Sequence, residues 1–337
     1  MDTEETPYAD LTPEFVLDAV EAFGQPVDGR LLQLNSYENR VFQVGLDDGG
    51  AVIAKFYRPK RWNDAQILEE HQFALDLHGT EVPVVAPLVL ERPLTSDTNL
   101  LGTPPTLGMF RGFRLALTPR RGGRPPELED PEVLSWLGRY LARLHTVGAA
   151  KNFQSRNRLD VSQTGYRARD WLVQHEAISP DQMGPWLAAA NQALDLAQAA
   201  FDGVSGLQYR RVHGDCHPGN ILWTPEGPHF VDLDDACMAP AVQDMWMLLS
   251  GDETERRVQL HAMLDGYETL AEFDWRELKL IEALRTLRML HHSAWIARRW
   301  HDPAFPSAFP WFGDSIYWQE QTRLLQQQSE RMEMSQM

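Results

Sequence analysis

Strand-forming sequence is confined to the first third of this chain, and helical periodicity fills most of the rest. Val41-Phe42-Gln43-Val44 and Val52-Ile53-Ala54-Lys55-Phe56 flank Asp47-Asp48-Gly49-Gly50, which predicts a hairpin over residues 40–57. A second strand pair is predicted over 106–118, turning near Gly108 and Gly112. Two helices accompany them, at 13–23 and at 63–77, the latter with Asn63 or Asp64 as its cap. Residues 119–126 are rich in Arg, Gly and Pro and read as a connector. Beyond it, apolar spacing predicts helices at 132–147, 187–201, 240–249, 277–300 and 315–328. Residues 302–314 read as a loop, and the polar tail after Gln326 as a fraying end. Strands and helices would alternate throughout a Rossmann or barrel protein. Their segregation points instead to an α+β, bilobal fold. It has a small strand-rich N-terminal lobe (1–119) and a large helical C-terminal lobe (120–337).

The helical part contains one strand-like insert, and the polar residues gather around it. His213-Gly214-Asp215-Cys216-His217-Pro218-Gly219-Asn220 precedes a short hairpin turning at Thr224-Pro225-Glu226-Gly227. The returning strand ends in Phe230-Val231-Asp232-Leu233-Asp234-Asp235. Such a hairpin brings Asn220 and Asp232 face to face. Phosphoryl transfer uses these groups: a carboxylate to orient the nucleophile, and oxygen ligands for magnesium. Asp215 suits the first role, and Asn220 with Asp232 the second, which makes Asp215 and Asp232 the catalytic pair. Asp and Asn beside glycines are more often plain turn residues; the strand, hairpin and later Asp232 together favour catalysis. Asp234 and Asp235 could support the metal, but capping the following helix is the preferred reading. His213, Cys216 and His217 also resemble close-spaced zinc ligands, yet no partner pair stands at suitable spacing. Asp244 is read as a structural acceptor for backbone N–H groups of the catalytic loop.

The N-terminal third should clamp ATP. Lys55 on the strand 52–56 can reach the α- and β-phosphates, and it needs a carboxylate to fix its direction. Glu70 on the helix 63–77 fits, with Glu69 the alternative. Asn35-Ser36-Tyr37-Glu38-Asn39-Arg40 occupies the place of the phosphate-covering loop. It has no glycine, so Ser36 and its neighbours would have to supply the donors.

Charge and cysteine usage narrow the class. Asp plus Glu is 48 against 31 Lys plus Arg, a net −17. A chain this acidic repels nucleic-acid backbones, so no nucleic-acid partner is expected. No stretch reaches the roughly 18 apolar residues of a membrane helix, and residues 1–10 lack an apolar leader core. No membrane partner is therefore expected, and the cytoplasm is the expected compartment. Cys216 and Cys237 are expected to be reduced thiols, with a redox pair as the alternative.

The segments 213–220 and 231–235 resemble the aminoglycoside phosphotransferase and choline kinase superfamily. Leu34-Asn35-Ser36-Tyr37-Glu38-Asn39-Arg40-Val41, Lys55-Phe56-Tyr57-Arg58-Pro59 and Gln66-Ile67-Leu68-Glu69-Glu70-His71-Gln72-Phe73-Ala74-Leu75 resemble a bacterial protein-kinase branch of it. So do Pro240-Ala241-Val242-Gln243-Asp244 and Asp302-Pro303-Ala304-Phe305-Pro306. The resemblance implies a monomeric cytoplasmic Ser/Thr protein kinase that uses ATP and Mg2+, autophosphorylates, and acts in envelope or oxidative stress. It implies Asp215 as proton acceptor, Asn220 and Asp232 as metal ligands, and Ser36 at the ATP. The weakest resemblance falls at 92–107 and 151–206, stretches that would shape the acceptor side. Only a few residues separate Asp232 from Asp244, so no long activation segment is present. That brevity would suit a small acceptor and keeps an amino-alcohol or hydroxyl kinase as the alternative. A non-catalytic nucleotide-binding regulator is disfavoured by the intact Lys55, Asp215, Asn220 and Asp232.

Overall fold

A computed structural model describes residues 7–91 and 105–336. The first six residues and most of the 92–107 stretch lie outside them. Helix α1 (Pro13–Ala22) begins where the Thr12 side chain accepts from the Phe15 amide. Strands β1 (Val27–Leu34), β2 (Arg40–Leu46) and β3 (Ala51–Phe56) follow, then helix α2 (Asp64–Gly79) and strands β4 (Gly108–Phe110) and β5 (Phe113–Pro119). The five strands make one antiparallel sheet in the order β1-β2-β3-β5-β4. The hairpins were readable from their turns, but β1 was not anticipated. Its register against β2 shifts between Val27 and Leu31, which breaks the period-2 pattern that betrays a strand.

Side chains alternate along β3 and separate two environments. Val52, Ala54 and Phe56 join Phe15, Val16, Val20, Leu115 and Leu117 in one apolar core. Lys55 points to the other face. Asn63 and Gln66 cap α2 reciprocally, and its buried side carries Ile67, Leu68, Glu70, His71, Phe73, Ala74 and Leu77.

The remainder is mostly helical: α3 (Pro131–Ala149), α4 (Arg167–Gln174), α5 (Met183–Asp202), α6 (Gln243–Trp246), α7 (Glu253–Tyr267), α8 (Ile281–Arg298), α9 (Ala304–Ala308) and α10 (Ser315–Gln336). Four short strands interrupt it: β6 (Arg210–Val212), β7 (Ile221–Thr224), β8 (Gly227–Phe230) and β9 (Cys237–Ala239). β6 pairs with β9, and β7 with β8, both antiparallel. Leu137, Leu141, Trp186, Leu194, Leu287 and Trp318 belong to one large core. Helices α3 and α7 touch backbone to backbone. A Cβ on Gly138 would sit 1.9 Å from the Met263 carbonyl oxygen, and one on Gly266 2.0 Å from that of Ser135. The core also takes in Phe73, Ala74, Leu77, Val82 and Val84. The Phe230 amide donates to the Pro83 carbonyl at 2.7 Å, and the Val85 amide to Phe230 at 3.1 Å. The far end of α2 is thus seated on the hairpin that leads to Asp232.

Four element expectations change. The helix expected at 240–249 is one four-residue turn, α6, among successive i→i−3 bonds from Gln243 to Pro240, Asp244 to Ala241 and Leu248 to Met245. Side-chain bonds from Gln243 and Asp244 to the β6–β7 loop hold the segment in that tighter path. The first residues of the 277–300 helix belong to a 3-10 turn, Trp275–Leu280, and the loop 302–314 contains α9. The tail does not end at residue 328. α10 continues to Gln336 because Gln328, Ser329 and Met332 are buried.

Candidate active site

The loop from β6 to β7 carries Asp215 and Asn220, and the chain leaving β8 carries Asp232. Asp244 shapes the loop from behind. It is fully buried and accepts from the amides of His213 and Gly214, each at 2.8 Å, and it meets His145 Nε2 at 3.1 Å. Gln243 donates to the Gly214 carbonyl at 2.8 Å. Gly214 has φ +84°, and a Cβ there would lie 2.2 Å from the Asp235 carbonyl oxygen. Only glycine fits that position. A short turn, Pro218–Asn220, then delivers Asn220. Its amide nitrogen donates to the Asp215 carbonyl at 3.0 Å, so its oxygen is the end left for a cation. The Asn220 carbonyl in turn accepts from the Val231 amide at 3.0 Å. Asp232 follows with left-handed backbone (φ 60°, ψ 64°), unusual without a glycine and typical of strained functional positions.

Lys55 reaches this loop from the sheet. Its Nζ lies 3.2 Å from Asp232 Oδ1, 3.1 Å from Asp234 Oδ1 and 3.6 Å from Glu70 Oε1. Burial opposes its charge, but Asp234, Glu70 and Asp232 outweigh this and raise its pKa well above that of an ordinary lysine. Burial pushes the Glu70 carboxyl up, against the pull of Lys55 and Arg156. The choice between the two glutamates is plain in the geometry. Glu69 faces elsewhere and accepts from the amides of Gln154, Ser155 and Arg156 at 2.7–3.1 Å.

Asp234 caps no helix. Burial disfavours its charge, yet Arg61, Lys55 and Arg156 hold its carboxyl well below the usual carboxylate range. It pairs with Arg61 and accepts from Asn39 Nδ2 at 3.1 Å, while Arg61 also meets Asp235 at 2.6 Å. Arg156 threads behind this group. Its Nε donates to the Ala236 carbonyl at 2.6 Å, its Nη1 to Gln66 at 3.0 Å, and its guanidinium lies 4.5 Å from the Trp62 ring centroid. Neither role was foreseen. The available signal was Lys55, Arg58 and Arg61 falling so close together, since buried cations need carboxylate partners.

Ser36 stands half-buried in the β1–β2 loop, and the residues after it make the bonds. Glu38 meets Arg299 at 2.7 Å and Arg58 at 3.1 Å, and accepts from Trp295. Arg58 also pairs with Asp302 at 2.6 Å, and Tyr37 lies against Phe309 at 5.2 Å between centroids. This loop is therefore tied to α8 and α9 rather than free over the cleft.

Cys216 and Cys237 are free and buried, and burial raises both thiols. That is the environment of inert cysteines. Among the described residues, no three His, Cys, Asp or Glu side chains gather as a metal cage. A cation held by one carboxylate and one amide takes its other oxygens from substrate phosphates or water, as magnesium does.

A family model described as "Phosphotransferase enzyme family" matches residues 30–281. The chain is 42% identical over 312 residues to stress response kinase A of Salmonella choleraesuis, covering 93% of this chain and 90% of that one. The same figures hold for the serine/threonine protein kinase RdoA of Salmonella typhimurium and for stress response kinase A of Escherichia coli K12. Among solved structures, an amicoumacin kinase in complex with AMP-PNP and Ca2+ aligns with TM-score 0.71 at 18% identity, covering 95% and 92% of the two chains. A spectinomycin phosphotransferase aligns with TM-score 0.64 at 12% identity, covering 95% and 98%. At those identities the structures speak for the fold, while the family match and the relatives speak for the chemistry. The chain belongs to the phosphotransferase enzyme family that includes the aminoglycoside kinases, and it has their bilobal α+β fold.

Proposed function

We propose that this phosphotransferase is an ATP- and Mg2+-dependent Ser/Thr protein kinase that autophosphorylates and serves a stress response in the cytoplasm. The observation that carries the protein-acceptor part is the 42% identity, over 93% of the chain, to relatives named stress response kinase A and serine/threonine protein kinase RdoA. Residues 1–119 form the ATP-clamping lobe and 120–337 the lobe that holds the catalytic loop. Lys55, directed by Glu70 and Asp234, holds the α- and β-phosphates. Ser36, at the start of the tied loop, contributes to ATP binding. Asn220 and Asp232 hold the metal, which supplies charge neutralisation on the transferring phosphoryl group.

Asp215 accepts the proton of the acceptor hydroxyl as its oxygen bonds to the γ-phosphorus. The bond between that phosphorus and the β–γ bridging oxygen breaks, and ADP leaves with the electron pair. The test is incubation with labelled ATP and Mg2+ plus either dephosphorylated casein or a panel of amino alcohols and aminoglycosides. Phosphoserine or phosphothreonine in the hydrolysed protein supports the reading. Label on the small alcohols alone would replace it with the small-molecule alternative.

A further inference from the structure

Asp215 does not face open solvent. Arg288 Nη1 from α8 lies 2.6 Å from its Oδ1, and His217 Nε2 lies 3.6 Å from its Oδ2. The Arg288 side chain remains 43% exposed, so it caps the carboxylate from the cleft side rather than from within the core. It is not isolated. His291 and His292, both exposed, follow at the three- and four-residue spacing that puts them on the same helix face. Arg298 lies one further turn and a half along. His291 lies within electrostatic reach of Asp235 and of Arg298, Arg288 and Arg299. Burial lowers the Arg298 guanidinium, and so do its cationic neighbours Arg299 and Arg167, the latter at the start of α4. Glu282 is the one acidic residue of α8, and it is engaged by Arg285 at 3.3 Å. In a chain of net charge −17, Arg288 and Arg298 thus put cations on the wall beside the acceptor position.

A carboxylate-lined pocket would suit an aminoglycoside or a choline-like alcohol, whose ammonium groups need anionic partners. This wall does the reverse. We propose that Arg288 is the acceptor-recognition residue, and that the accepted hydroxyl lies in an acidic stretch of protein. In the free enzyme Arg288 rests on Asp215. When acceptor binds, its guanidinium turns to a carboxylate beside the accepting Ser or Thr and uncovers the base. Arginine suits that exchange because its planar fork of donors can pair with either carboxylate. The inference rests on the reading of Asp215 as the proton acceptor.

The test compares kcat/KM for paired acceptors that differ only in charge. One pair is a Ser peptide flanked by Glu and the same peptide flanked by Lys. The other is glycerol 3-phosphate and ethanolamine. Wild type is expected to favour the Glu peptide by about tenfold or more, the size of one charged hydrogen bond. Arg288→Ala should remove that preference, mainly through KM for the peptide. Arg288→Glu should invert it, and Arg288→Lys should restore part of it. A purely structural arginine would change turnover on both peptides alike and leave their ratio fixed, which would overturn the proposal. If peptides stay unlabelled and only the small alcohols react, the protein-kinase reading falls. The charge preference then still decides: glycerol 3-phosphate over ethanolamine upholds the role of Arg288, and the opposite order, no preference or no labelling overturns it.

Discussion

At the scale of single residues, Lys55 shows how a site can be half read in advance. Its place on the strand 52–56, and the order of strand then helix, pointed to a carboxylate on α2. What could not be read is that one ammonium serves three carboxylates, because Asp234 and Asp232 arrive from the far half of the sequence. Asp234 lies closer than Glu70 and also holds Arg61 and Asn39. Lys55→Met is therefore expected to cut kcat by about a hundredfold or more, the usual cost of losing one stabilising donor at a reacting phosphate or oxyanion. Glu70→Gln should cost less than Asp234→Asn, since Glu70 meets Lys55 and Arg156 only at 3.6 and 4.0 Å, whereas Asp234 meets Lys55 at 3.1 Å and pairs closely with Arg61. The double variant Lys55→Met/Glu70→Gln should be little worse than Lys55→Met alone, because an orienting residue has nothing left to orient. Steady-state kinetics on the four proteins checks this. Additive losses in the double variant would mean that Glu70 acts apart from Lys55.

Among elements, the two hairpins were readable because their turns carry strong local punctuation. The β2–β3 turn carries Asp47-Asp48-Gly49-Gly50, and the β7–β8 turn Thr224-Pro225-Glu226-Gly227. Helix α7 lacks a clean apolar stripe, since Arg256, Arg257 and Asp265 crowd it, but Asp252 and Glu255 form a capping box that announces its start. The catalytic loop depends on an element that sequence patterning misjudged. Residues 240–249 do not make a helix because their side chains are spent on the loop. Asp244→Ala would strand the amides of His213 and Gly214 and the ring of His145 in the interior. The expected loss is about 3–5 kcal/mol of unfolding free energy, the range for removing one partner of a buried charged network. Asp244→Asn keeps one acceptor oxygen and should lose less. Urea denaturation followed by tryptophan fluorescence measures both. Equal, small losses would show that the loop is held by Gln243 and the backbone instead.

For the whole molecule, the two parts are joined by polar groups as much as by apolar ones. Glu38 to Arg299, Arg58 to Asp302 and Asn39 to Asp234 all bind the sheet side to the helical side. The asymmetry of strands and helices showed that two parts exist. It said nothing of how they close, because every one of those pairs is far apart in sequence. Burial also gives the fold a pH signature. His71 is buried between the Tyr57 hydroxyl and Thr106, each at 2.7 Å, and burial, then Lys55 and Arg156, lower its pKa from 6.5 to about 3. Below about pH 6.5 the unfolded chain takes up protons that the folded chain refuses, so stability present above that pH is lost as pH falls towards the folded value. Unfolding free energy should drop between pH 7.5 and 5.5 by up to about 1.4 kcal/mol per pH unit for this histidine. His71→Gln should flatten that slope in denaturant titrations at the two pH values. A slope unchanged by the substitution would mean His71 titrates alike in both states.

In the proposed function, the loop from β6 to β7 and the residue after β8 perform phosphoryl transfer, with Asp215 as the group that takes the proton. Asp215→Asn tests it most directly, because the amide keeps the shape of the side chain and removes only its basicity. Transfer of label from ATP to acceptor and binding of Mg-ATP are measured on the same preparation. Turnover is expected to fall by about a thousandfold or more, in line with general-base contributions, while Mg-ATP affinity stays within about twofold. Near wild-type turnover in Asp215→Asn, with nucleotide binding intact, would contradict the assignment.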